Sequence, residues 1–179
     1  MDNRVRMITT TALMAAVICV LGPLSIPIGP VPISLTNFAI YIIMYVLDLK
    51  RGTVAYCIYM LMGLIGLPVF SGFTGGPGKL FGPTGGYIIG FLPMAIVIGI
   101  VFKKYWNNKL ISIIAMEVAT RIPYILGTVW LSIQAGMTFK AALAAGVLPF
   151  IVLDLIKIVI AAFAGPVLRT SILTHSFLN

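Results

Sequence analysis

Six apolar runs alternate along the chain with short polar breaks or with stretches rich in glycine and proline. They fall at about residues 7–22, 33–47, 53–65, 87–102, 110–135 and 141–168. A helix needs about 20 apolar residues to cross the hydrocarbon layer of a bilayer, so the second and third runs are short for the task. The pattern predicts an all-α membrane protein: a compact bundle of six transmembrane helices forming a single domain over residues 1–179.

The breaks are not alike. Residues 66–87, GLPVFSGFTGGPGKLFGPTGGY, hold eight glycines, three prolines and one charge, Lys79. Glycine loses too much backbone entropy, and proline removes a donor and clashes with the preceding turn, so this run is no helix. Val69, Phe70, Phe73, Leu80, Phe81 and Tyr87 are interleaved with the breakers, so it is no flexible linker either. Irregular backbone at membrane depth persists when it is buried in protein or lines a cavity. The stretch is therefore expected to pack down as a structured loop, either as a plug or as one wall of a pocket.

Composition agrees with the pattern. Hydrophobic residues make up 60% of the chain and charged residues 9%, with a mean hydropathy of +1.12. Soluble domains carry about 25% charged residues. The basic start (Arg4, Arg6) and first apolar run lack a small-residue cleavage site and read as a first membrane helix. Cys19 and Cys57 lie inside apolar runs and read as small core hydrophobes.

The net charge of +8 raises the question of nucleic acid, but its distribution writes topology instead. Arg4, Arg6, Lys50, Arg51, Lys103, Lys104, Lys109 and Arg169 fall on one side of the expected spans, and Lys79 and Lys140 on the other. The positive-inside rule puts both termini in the cytoplasm, and the glycine-rich loop and the proline-rich stretch at residues 22–32 outside.

Four charges lie within spans: Glu117 and Arg121, then Asp154 and Lys157. Each costs about 3 kcal/mol at mid-bilayer on insertion scales, so such groups pair or work. If the last two spans form a simple antiparallel hairpin, Glu117 faces Lys157 and Arg121 faces Asp154. The four then either neutralise one another, or Asp154 and Lys157 also face a cavity. Asn37, Tyr41, Tyr45, Tyr124, Trp130 and Gln134 could complete such a pocket. Ala12 and Ala16 in the first span form a small-xxx-small pair, for packing within the bundle or against a partner helix.

No phosphate-binding loop, metal-ligand cluster or nucleophile with a base stands in the sequence: Gly78-Lys79 is followed by Leu80 where Ser or Thr is needed. The chain does not read as an enzyme, and energy for uphill movement must come from elsewhere.

PVPISLTNF (residues 30–38), GLPVFSGFTGG (66–76), GPTGGYIIGF (82–91) and LDLIK (153–157) together resemble the biotin-specific substrate-binding subunits, or S components, of energy-coupling factor transporters. The resemblance covers nearly the whole chain. It implies capture of biotin from outside the cell, with no cofactor of its own. ATP would be hydrolysed by two cytoplasmic ATPases joined to a transmembrane coupling protein. Ala12 and Ala16 match the family's alanine docking motif for that protein. The ligand contacts implied are Asp154 and Lys157 for the ureido ring, with Asn37, Tyr41, Tyr124 and Trp130 from the spans and Phe73, Lys79, Thr84, Gly85 and Tyr87 from the loop. The location implied is the plasma membrane of a prokaryote. The alternative is a self-contained secondary transporter using the intramembrane charges as a proton relay. It would need an ion gradient, and no internal repeat of the usual transporter kind supports it.

Overall fold

The computed structural model describes residues 3–175. Its order is α1 (Asn3–Leu21), β1 (Ser25–Ile26), β2 (Ile33–Ser34), α2 (Thr36–Val46), α3 (Leu49–Leu64), α4 (Pro77–Leu80), α5 (Gly85–Tyr105), α6 (Lys109–Gln134), α7 (Phe139–Gly146) and α8 (Leu148–His175).

Outside a hydrophobic core, the surface is more apolar than a soluble protein's and several polar groups lie inside. Ile8, Leu13, Ile65, Ile100, Ile114, Ile125, Ile133 and Val167 are exposed, while Thr36, Asn37, Thr84, Ser112, Thr120, Thr128 and Asp154 are buried. An apolar sleeve around polar interior groups is what a lipid solvent selects. The protein is a multi-pass membrane protein. Among the described residues, four segments are long and apolar enough to span: residues 4–21, 85–105, 109–134 and 139–172.

The second expected span is an 11-residue helix, α2, with every residue but Phe38 buried. A helix apolar all round belongs inside a bundle. α2 packs against α8, α5, α1 and α3, with Tyr41 and Tyr45 wholly enclosed. Above it the proline-rich stretch turns into an antiparallel hairpin that pairs Ser25 with Ser34 and Ile26 with Ile33. The short helix thus hangs from a strap rather than crossing the bilayer unaided.

Side-chain caps fix three helix starts. Asp48 accepts from the Arg51 amide at 2.8 Å, Asn108 from Ile111 at 3.1 Å and Thr138 from Ala141 at 3.3 Å. The cap at Thr138 opens α7, which the sequence pattern merges with the last span; the chain breaks at Val147 before α8 begins. Where a simple turn between the last two spans was expected, a separate short helix intervenes.

The glycine-rich stretch is folded down. Phe70 is fully buried and meets Tyr59 edge-on at 5.5 Å. The amide of Gly72 donates to Pro23 O at 3.0 Å, and that of Gly76 to Gly63 O at 2.7 Å. Gly76 adopts φ +87°, a conformation glycine takes freely, and opens α4.

Candidate functional site

Asp154 and Lys157 are three residues apart on α8, so their side chains share one face. Asp154 is 4% exposed. Lys157 Nζ donates to Asp154 Oδ1 at 2.9 Å, to Ser34 O at 2.8 Å and to Asn37 Oδ1 at 3.1 Å. An ammonium has three donors, and all three are used. The other carboxylate oxygen, Oδ2, accepts from the Tyr124 hydroxyl at 2.6 Å. A carboxylate has about four acceptor sites, so Asp154 retains capacity. This cluster joins α8, α6, α2 and the hairpin.

The expected cross-helix pairs, Glu117 with Lys157 and Arg121 with Asp154, do not form. Arg121 pairs with Glu117 on α6 itself, and Lys157 with Asp154 on α8. The reason lies in the faces of α6. Met116, Ala119, Thr120 and Pro123 are its buried stripe, which turns Glu117 and Arg121 outward, with side chains 31% and 51% exposed. Spacing of four lets each neutralise the other locally, which a bond across the bundle would not improve.

Around Asp154 and Lys157 lies a cavity of about 60 Å³, room for several water molecules. Asn37, Thr84, Tyr87 and Tyr124 line it together with the pair. Five other expected site residues lie off its lining. Tyr41 stands behind it, its hydroxyl 2.6 Å from Thr120 Oγ1. Thr120 donates to Met116 O, so Tyr41 is the donor. Trp130 donates to Gly82 O at 2.9 Å and packs on Gly86, where no Cβ would fit. Gly85 lies against the Leu80 backbone. These two hold the loop closed. Phe73 is 65% exposed, with φ +56°. Lys79 is half-buried in α4, and the lost hydration lowers its pKa from the ordinary lysine value. Tyr45 and Gln134 are also absent from the lining.

The cavity adds Ser34, Thr36, Tyr59, Ser71, Phe91, Thr120 and Phe150, which sequence reasoning did not select. Thr120 carried a signal, being a polar residue one helical turn before Tyr124. Phe91 and Phe150 looked like any other apolar position. The arrangement offers an acidic acceptor, hydroxyls and aromatic walls inside an apolar bundle, which suits a small ligand with both polar and hydrocarbon parts.

The sequence profile of the BioY family matches residues 1–173. The "Biotin transporter BioY" of Thermotoga maritima is 40% identical over 158 residues, 88% of this chain and 92% of that protein. The "Biotin transporter BioY2" of Lactococcus lactis subsp. cremoris is 35% identical over 164 residues, 92% and 90% of the two chains. Among solved structures, the S-component for biotin from an ECF-type ABC transporter superposes with a TM-score of 0.87 at 35% identity, covering 95% of each chain.

Proposed function

The chain belongs to the BioY family, and from that premise we propose that it captures biotin from outside the cell as the substrate-specific subunit of an ATP-driven importer. It is a transporter component and not an enzyme. The observation that carries the reading is the buried Asp154–Lys157–Tyr124–Asn37 cluster lining a cavity.

Biotin matches these groups part by part. Its ureido ring carries two N–H donors and a strongly polarised carbonyl. The open acceptor sites of Asp154 take an N–H; the Asn37 amide donates to a carbonyl, and Lys157 does so by exchanging one of its three resident acceptors. The thiophane ring and valeryl chain lie against Tyr87, Phe91 and Phe150, which line the same cavity. Thr84 at the start of α5 and Lys79 of α4 are the groups proposed for the tail carboxylate, with Phe73 as part of the same loop.

Orientation follows from charge. The α2–α3 and α5–α6 turns, the start of α1 and the end of α8 share one end of the bundle, and that end carries the cations. It is placed in the cytoplasm, in a prokaryotic plasma membrane. Ala12 and Ala16 are exposed on α1, whose inward stripe is Thr11, Met14, Ala15 and Ile18. Their exposure supports docking on a transmembrane coupling protein, which carries the two ATPases, over packing within the bundle.

The test is equilibrium binding of labelled biotin to the purified protein without ATP or an ion gradient. Tight, saturable binding is expected. Binding that requires a proton or sodium gradient would favour a self-contained secondary transporter.

A further inference from the structure

At the opposite end of the bundle from the buried cluster, a second cavity opens between the α2–α3 turn, the last turn of α5 and the last turns of α8. Its volume is about 370 Å³. The floor is apolar, formed by Met44, Leu47 and Phe102. The rim is cationic, formed by Lys50, Lys103 and Arg169.

Among the described residues, the one carboxylate at this rim is already committed. Asp48 caps α3 through the Arg51 amide and pairs with the Arg51 side chain at 2.9 Å. Arg169 is held in place by two contacts. Its Nη1 donates to Tyr45 O at 2.8 Å, and its guanidinium lies 4.6 Å from the centre of the Trp106 ring. Its Nε is buried with no acceptor among the described residues. Leaving a charged donor buried and unpaired is costly, so such a group calls for an acceptor. The start of α3 lies beside the same rim, at the positive end of its dipole, with its Arg51 amide already taken by Asp48.

The geometry points to a site for the phosphate group of an anionic phospholipid. The phosphate sits among Lys50, Lys103 and Arg169, and the adjoining glycerol and first acyl carbons cover the apolar floor. A cationic rim over an apolar floor fits an amphiphile better than a bare ion. The helix ends place the site at headgroup depth.

The experiment is native mass spectrometry of the purified full-length protein in neutral detergent, titrated with phosphatidylglycerol, phosphatidylcholine or inorganic phosphate. Phosphatidylglycerol is expected to bind in preference to phosphatidylcholine. Lys50→Gln and Lys103→Gln should each weaken it about fivefold, and the pair about 25-fold, at the usual contribution of a basic residue near an anionic surface. Lys104→Gln, whose side chain lies against Tyr105 and outside the cavity, is expected to change it less than about twofold on the same scale. Both single variants alter exposed lysines and keep the test readable if the double variant folds poorly. Equal binding of the two lipids would overturn the proposal. So would equal loss in Lys104→Gln, which would signify surface charge alone. Phosphate ion competing as well as the lipid would assign the site to a free anion.

Discussion

At the scale of single residues, Asp154 faces two demands. It balances Lys157 and, in the proposed function, accepts from the ligand. Asp154→Asn exchanges an acceptor oxygen for a donor that opposes a ureido N–H. A charge-assisted hydrogen bond contributes about 1.5–3 kcal/mol, so biotin Kd is expected to rise about 10- to 150-fold. The same change leaves Lys157 without its counter-charge, and breaking a buried pair costs about 3–5 kcal/mol. Affinity is therefore to be measured well below the melting temperature. Glu117→Gln is the control: its partner Arg121 lies on the outer face of α6, so affinity should be unchanged. If both variants lose affinity in proportion to stability, the cluster is a structural clamp.

These residues also show how far the sequence reaches. Asp154 and Lys157 announce themselves as charges one turn apart in an apolar run, and the structure places them together in a cavity. The fate of Glu117 and Arg121 was not legible. A hairpin rule fixes which residues are level, not which way each side chain points, and the rotation of α6 is set by Pro123, Gly127 and Thr120 packing inward. Ser34 was hidden for a different reason: it contributes through its backbone carbonyl, which any residue supplies.

At the scale of elements, α1 and the α5–α6 contact make opposite demands on small side chains. Ala16 faces outward, so Ala16→Trp is expected to leave biotin binding by the isolated subunit intact while uptake by the assembled importer fails. Loss of binding would mean that this alanine packs inside. Gly86 faces inward against Trp130, and a Cβ there has no room. Gly86→Val should destabilise by about 1–3 kcal/mol, the usual cost of overpacking, read as a lower melting temperature. Glycine content exposed the loop in the sequence. Its partners were not legible, because Trp130 lies over 40 residues from the Gly82 carbonyl it binds.

The whole molecule is organised by solvent and by charge. Apolar runs placed the helices, but length alone overstated α2. Its 11 residues reach about 16 Å at 1.5 Å per residue, and the strap supplies the remainder. The sidedness is open to a direct check in intact cells. Cysteine introduced at Lys79 should react with an impermeant maleimide, and cysteine at Lys104 should not. The reverse labelling would turn the cavity to the cytoplasm and end the capture reading.

The saturated ammonium of Lys157 has a consequence for heat. With three resident acceptors, it offers no vacancy. A guest carbonyl enters by evicting one of them, so donors and acceptors are traded and their number is nearly conserved. Selectivity then rests on how well the replacement is aligned, and the driving force falls to water leaving the hydrocarbon part of the guest. Calorimetry of biotin binding should accordingly show a clearly negative heat-capacity change. Shortening the valeryl chain should shrink that change by an amount proportional to the carbons removed, while the ureido ring alone produces almost none.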